Sequence, residues 1–457
     1  KFSTVDLDLD LILPGFLCSR RLGSIFIQVN AMPILSRLSQ RTVEAPISYL
    51  MREALNRPEL ISLAAGFVDQ GSLPVEKTSR AVAGLLESPE RGYATLQYSS
   101  TMGDSTVRDI LLKRLVQADG LVGDSKSVEQ VIMTAGSNEL LYQLGLVLLD
   151  PDDVVLCAAP TYFVFLGALQ GIGARAHGLP VDENGIIADA LEACLKKTIE
   201  KGDAQRVKAL YLTTYFDNPS SITTSRKRRE EIFEIISRHN RQHPWVYIIE
   251  DAAYRDLRYF GEDIPSLSSL DIENSTVIYT SSFSKSFSPG LRVGWGVLPK
   301  DLVAPLSHHQ GNMNFGAPHF SQQVIRQVIE TGDFDLHLSK LRLTYRGKLE
   351  TMVSAAEKYF ENIAEVSWLP AAGGLYIWLR LRGIDTGPDG PLFPRALEKG
   401  VLYVPGCYCY PVEGCPQAHD HIRLSFGVQP PERIEHGMQL LADAIQETLA
   451  LNEPQYQ

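Results

Sequence analysis

The chain has 457 residues, with 43 basic and 54 acidic side chains for a formal charge of −11; apolar residues make up 44 % and charged ones 21 %. That balance excludes a largely disordered chain, and the acidic excess argues against a general binder of nucleic acid or anionic membranes. No apolar run approaches the roughly 18 residues needed to cross a bilayer. Six cysteines are too few for a disulfide framework, so a soluble, cytoplasmic protein in a reducing setting is expected.

The first 31 residues differ from the rest. Val5 to Asp10 alternates apolar and acidic residues, Leu11 to Leu17 is mainly apolar, and Arg20-Arg21 follows. A secretory signal needs bases before its apolar segment, and three aspartates stand there instead. Met32 is the first methionine, so residues 1–31 read as a dispensable extension; an arm on a partner subunit is the competing reading. From Val128 the pattern becomes rhythmic. Val131–Thr134, Val154–Cys157, Val207–Leu212, Val246–Glu250, Thr276–Thr280 and Gly294–Leu298 read as buried strands. Helix-like stretches such as Asn138–Leu149, Tyr162–Gly171 and Arg226–His239 alternate with them. The pattern predicts an α/β fold with a mostly parallel sheet between helices. The short link around Lys285 predicts one antiparallel strand. Leu336–Phe360 then reads as one long helix, Leu375–Leu381 and Ile422–Phe426 as strands, and Pro431–Leu451 as a helix, together a smaller α+β domain. The basic run Arg226–Arg229, with Thr224 and Ser225 before it, reads as a capped, solvated helix start.

The segment Ser281-Ser282-Phe283-Ser284-Lys285-Ser286-Phe287-Ser288-Pro289-Gly290-Leu291-Arg292 follows an apolar strand, placing Lys285 where α/β sheets carry their sites. A lysine there can lose its proton through burial and nearby cations and become an amine nucleophile. Ser282, Ser284 and Arg292 supply the hydroxyls and fixed cation that a phosphate monoester needs. A rival cluster is Cys407, Cys409, Cys415, His419 and His421; its spacing matches no familiar zinc pattern, and no metal is assigned. Trp295 and Trp378 read as core residues.

The Lys285 segment resembles the Schiff-base signature of fold-type I pyridoxal-phosphate enzymes, specifically class I/II aminotransferases. The resemblance runs in chain order over about residues 32–450. It implies that Tyr98 reaches the cofactor phosphate of the neighbouring subunit, making the protein a homodimer. It also implies that Gly136, Ser137 and Asn138 cup the phosphate with Ser282 and Arg292, and that Tyr162 stacks on the pyridine. Asn218 and Tyr254 would touch the phenolic oxygen, and Asp251 the pyridine nitrogen. Arg423, helped by Asn218, would clamp the substrate α-carboxylate. The catalytic residues implied are Lys285, Asp251 and Tyr254, and the reaction a ping-pong transamination, with 2-oxoglutarate the acceptor by family habit. Domain limits expected are 32–85 for an N-terminal arm and part of a small domain, 86–330 for the large domain and 331–457 for the small one.

Two departures stand out. The family commonly continues Asn-Pro-x-Gly where this chain has Asn218-Pro219-Ser220-Ser221, so the turn after Asn218 is expected to differ locally. The stretch Gly66 to Pro74 also departs from the common entrance motif, which leaves the donor open among aromatic, 2-aminoadipate-like and branched-chain amino acids. A β-lyase or a cyclopropane-forming synthase would share the cofactor core. A pyridoxal-phosphate-binding regulator would need a winged helix, for which 31 to 60 N-terminal residues leave no room.

Overall fold

The expected apolar runs pair into one sheet. In the computed structural model, which describes residues 35–121, 126–363 and 365–452, its order is Glu413–Gly414, Arg175–Asp182, Val154–Ala159, Val207–Thr213, Tyr247–Asp251, Val277–Ser282, Gly294–Val297, Val131–Thr134. The extension read at residues 1–31 lies outside the described residues. Neighbours along this order run parallel except at Gly294–Val297, which opposes both Val277–Ser282 and Val131–Thr134. The reason is the one anticipated: a parallel return needs a crossover of about a dozen residues or more, usually a helix, and the Lys285 link holds only turns.

Alternate residues of the central strands enter different cores. Val155, Cys157, Ala209, Tyr211 and Ile249 pack under the helices Ser137–Leu148 and Phe163–Ile172. Leu156, Leu210, Leu212 and Ile248 pack under Ala188–Glu200 and Arg226–Asn240. A period of two with both sets apolar is the signature of a sheet buried on both faces. Arg175–Asp182 was not visible as a strand in the sequence, because its Gly178 and Pro180 and its polar residues resemble a loop.

A second, antiparallel sheet has the order Val366–Trp368, Tyr376–Leu381, His421–Ser425, Val404–Pro405. The helices Asp333–Phe360 and Pro431–Asn452 belong to the same part of the chain, and the long one buries Leu338, Leu341, Tyr345, Leu349, Met352 and Ala356 along one stripe. Trp295 and Trp378 are buried. Residues from Arg37 onward pack as one unit.

The basic run needs a correction. Ser225 does cap the helix, accepting from the Arg228 N–H, and Arg226 is solvated and paired with Glu230. Arg229 is instead buried, donating to the carbonyls of Thr224, Thr214 and Pro265 with its guanidinium 3.6 Å from buried Glu250 and over the Tyr215 ring. A helical turn rotates successive residues by about 100°, so one of four consecutive bases faces the core. Arg229→Ala should therefore cost about 3–5 kcal/mol in urea unfolding, because it leaves three carbonyls without their donor and takes the near cation from buried Glu250, whereas Arg226→Ala should stay within about 0.5 kcal/mol of the parent.

Candidate active site

The strands Val131–Thr134, Val154–Ala159, Val207–Thr213, Tyr247–Asp251 and Val277–Ser282 all end on the same side, and the segments after them wall a cavity of about 360 Å³. Ser137, Asn138, Tyr162, Asn218, Asp251, Tyr254, Ser282, Lys285 and Arg292 line it, and Arg423 enters from the second sheet. Strand C-termini of an open α/β sheet are where the chain diverges into loops and leaves a crevice.

One end of the cavity is built for an anion. Gly136 precedes the helix Ser137–Leu148 with φ +93°, a conformation that favours glycine, and aims the helix N-terminus at the cavity. A Cβ on Gly294 would lie 2.3 Å from the Gly136 carbonyl carbon, so glycine there lets the antiparallel strand pass close behind this turn. Arg292 crosses it, its Nη2 donating to the Ala135 carbonyl at 3.0 Å. Ser282 Oγ donates to Ser284 Oγ at 2.8 Å beside it. Free N–H groups, hydroxyls and a guanidinium together suit a phosphate.

Asp251 closes the middle of the cavity. Burial pushes its carboxyl up to about 6, opposed by the Ala253 N–H at 3.1 Å and the Tyr211 hydroxyl at 3.0 Å, both donating to it. Tyr162 donates to Asn138 Oδ1 at 3.3 Å. Lys285 Nζ donates to the Gly66 carbonyl at 2.6 Å. Burial lowers its pKa; Tyr376 opposes the shift, while Arg423 and Arg292 add to it. Arg423 is 1 % exposed and held from three sides. Its Nη1 donates to Asn218 Oδ1 at 2.7 Å, its Nη2 to the Ala64 carbonyl at 2.8 Å, and its guanidinium lies 4.2 Å from the Tyr376 ring centre. Its Nε has no hydrogen-bond partner among the described residues.

Tyr98 is not brought to this cavity. It is 82 % exposed and faces Phe315. The entrance stretch that begins at Gly66 does reach the wall, through Gly66 and Phe67, whereas sequence reasoning missed Tyr376, Tyr211 and the helix Pro46–Asn56, which contributes Ile47 and Met51. The pair Gly373-Gly374 before the Tyr376 strand was the available signal, since Gly373 meets Leu257 and Phe216 too closely for any side chain. The Ser220-Ser221 departure leaves the turn's conformation glycine-like. Ser221 takes φ +59°, and its hydroxyl donates to the Tyr376 carbonyl at 2.6 Å. Such a φ costs a non-glycine residue about 1–2 kcal/mol, which one buried hydrogen bond can offset. Cys407 and Cys409 are buried on the turn Gly406–Cys409, where the Cys409 carbonyl accepts from the Thr161 N–H at 2.7 Å. Among the described residues no group of three His, Cys, Asp or Glu is arranged for a metal ion, and no helix is long and apolar enough to cross a membrane.

A buried amine of lowered pKa, an anion cradle, and between them a buried acid with no cation of its own define a site for an aldehyde cofactor bearing a phosphate and a basic ring nitrogen. Pyridoxal phosphate fits that donor set: Ser137, Ser282 and Arg292 could hold its phosphate and Asp251 its ring nitrogen.

Residues 58–441 match the family Aminotransferase class I and II, and the chain belongs to that family and is an aminotransferase. It is 32 % identical over 399 residues to the 2-aminoadipate transaminase of Thermus thermophilus, covering 86 % of this chain and 92 % of the relative. To the aromatic-amino-acid aminotransferase 1 of Thermococcus litoralis it is 30 % identical over 392 residues, 86 % of this chain and 89 % of the relative. The crystal structure of a multiple substrate aminotransferase from Thermococcus profundus superposes with a TM-score of 0.83 at 28 % identity, covering 91 % of this chain and 98 % of the other.

The Asp251 environment has a pH consequence. A carboxyl raised from 3.8 to about 6 contributes stability below 3.8 that is lost as pH rises through about 6. Asp251→Asn has no such loss. In cofactor-free protein its stability relative to the parent should rise by about 2–3 kcal/mol between pH 4 and pH 7, read by urea unfolding at several pH values, while its cofactor binding weakens.

Proposed function

We propose that this aminotransferase takes the amino group of an L-amino acid with an apolar or aromatic side chain and passes it to a 2-oxo acid, with 2-oxoglutarate the expected acceptor. The observation that carries the donor class is the cavity wall. Its charged residues are Asp251, Lys285, Arg292 and Arg423, and the remaining wall is rich in apolar residues such as Ile47, Met51, Phe67, Phe163 and Val164. With Lys285 given to the cofactor, Arg292 to phosphate and Arg423 to the α-carboxylate, no cation among the described residues of the wall is left for a second carboxylate. The name of the Thermococcus litoralis relative supports an aromatic donor; that of the Thermus relative points to an acidic one, which the wall disfavours.

The cofactor is pyridoxal phosphate, which when bound supplies the electron sink for negative charge at the substrate α-carbon. The side chains do the rest. Lys285, whose charged form burial disfavours, would anchor the cofactor and, as a free amine, would take the proton from the substrate α-carbon and return it as a general acid. Arg423 receives the α-carboxylate, and its bonds to Asn218 and Ala64 fix the angle at which that carboxylate sits. Asp251 as carboxylate holds the ring nitrogen protonated, since an adjacent anion favours the cation. Tyr162 stacks on the ring, and Asn218 and Tyr254 donate to the phenolic oxygen. Gly136, Ser137, Asn138, Ser282 and Arg292 hold the phosphate. The proposal includes a homodimer in which Tyr98, exposed and outside its own cavity, completes the phosphate site of the partner. It also assigns residues 32–85 to an N-terminal arm with part of the small domain, 86–330 to the large domain and 331–457 to the rest of the small domain.

A donor panel against 2-oxoglutarate and pyruvate tests the substrate class, and aromatic and branched-chain donors should exceed aspartate and glutamate in kcat/KM. Lys285→Ala should abolish the visible cofactor band and cut turnover by about 10³-fold or more. Arg423→Lys should lower kcat/KM by about 10²-fold, since the bidentate geometry is lost. Uptake of pyridoxal phosphate without conversion to the amine form by any amino acid would refute the reading.

A further inference from the structure

The hydroxyls of Tyr254 and Tyr376 meet at 3.0 Å inside the cavity, and only one of them lies in a motif assigned above. Tyr376 begins the strand Tyr376–Leu381 of the second sheet, whereas Tyr254 follows the strand Tyr247–Asp251 of the first. The contact is held firmly. Tyr376 is 2 % exposed, its ring stands at 74° to that of Tyr254 with centroids 5.9 Å apart, and its carbonyl accepts from Ser221 Oγ at 2.6 Å. Arg423 lies against its ring face, 4.2 Å from the centre.

A phenol carries one hydrogen and can accept through its oxygen lone pairs. If Tyr254 gave its hydrogen to Tyr376, it would have none to give in the cavity. The cation on the face of Tyr376 draws electron density from that ring and makes it the better donor of the two. A hydroxyl that accepts a hydrogen bond also becomes a stronger donor itself. We propose that Tyr376 is a positioning residue for Tyr254: it donates to the Tyr254 oxygen, aims the Tyr254 hydrogen at the phenolic oxygen of the cofactor, and strengthens that donation. Arg423 thereby touches both the substrate carboxylate and, through two phenols, the oxygen that tunes the cofactor. This rests on the pyridoxal-phosphate reading and on the Tyr254 role within it. The charged and titratable groups facing the pair are Tyr162 and Arg423 around Tyr254, and Lys285, Arg423, Tyr162 and Tyr345 around Tyr376.

The test is a spectroscopic pH titration of the visible band of the cofactor-loaded enzyme. A donor on the phenolic oxygen stabilises its negative charge, which the proton on the neighbouring nitrogen otherwise neutralises. Weaker donation therefore raises the pH at which that proton leaves. Tyr376→Phe keeps the ring and should raise the midpoint by about 0.5 pH unit, and Tyr254→Phe by about 1 unit. In the double variant the Tyr376 change should add nothing, because its effect passes through Tyr254. A midpoint unmoved in Tyr376→Phe, or a Tyr376 effect that persists undiminished without the Tyr254 hydroxyl, overturns the inference while leaving the aminotransferase reading intact. A parent enzyme with no pyridoxal band would remove both. Equal melting temperatures for the parent and Tyr376→Phe are expected, since the lost contact is a single hydroxyl pair.

Discussion

The hydrogen bond from Arg423 to Asn218 is the contact on which the site depends. It joins a strand of the antiparallel sheet to the loop after a strand of the main sheet, 205 residues apart in sequence, across the floor of one cavity. Both side chains are buried. A guanidinium out of water is tolerable only when its donors are taken up, and here the Asn218 amide and the Ala64 carbonyl take two of them. Its aromatic neighbours Tyr376 and Phe163 screen the remainder. Its Nε has no partner among the described residues, which leaves a donor at the cavity for the carboxylate proposed to bind there. A single residue thus ties the second sheet to the loops of the first.

Burial has opposite effects on the two titratable groups at the centre. It disfavours the charged form of both, so the Lys285 ammonium loses its proton more easily and the Asp251 carboxyl holds its own more tightly. For Lys285 that is directly useful, since only the neutral amine attacks. For Asp251 it is a cost in the empty protein that a cation placed beside it would remove. On the proposed pairing with the ring nitrogen, cofactor binding and the charge of Asp251 would be one equilibrium.

Ser221 illustrates how a residue other than glycine can hold a glycine-like conformation. The residue type argued for an altered turn, because only glycine adopts positive φ freely. The turn persists with φ +59° because the Ser221 hydroxyl finds the Tyr376 carbonyl, a partner 155 residues away that no local reading can supply. Arg229 makes the same point: its neighbours in sequence marked it as solvated, and its neighbours in space make it a buried tie between strand ends.

Local chemistry was legible from the chain alone. Continuous apolar runs identified six strands of the main sheet and two of the second, because burial on both faces forces such runs. The Lys285 segment could be named from its place after a strand and its own chemistry, and Asp251, Asn218 and Arg423 from the family resemblance that the segment opened. The short Lys285 link also determined the antiparallel strand. Only the tertiary structure decided what those residues touch. Tyr376 carries no motif of its own, and its place in the cavity follows from the docking of distant segments. The assignment of charge is likewise tertiary, since the shifts at Lys285 and Asp251 arise from desolvation, which depends on everything packed around a group and on almost nothing next to it in sequence.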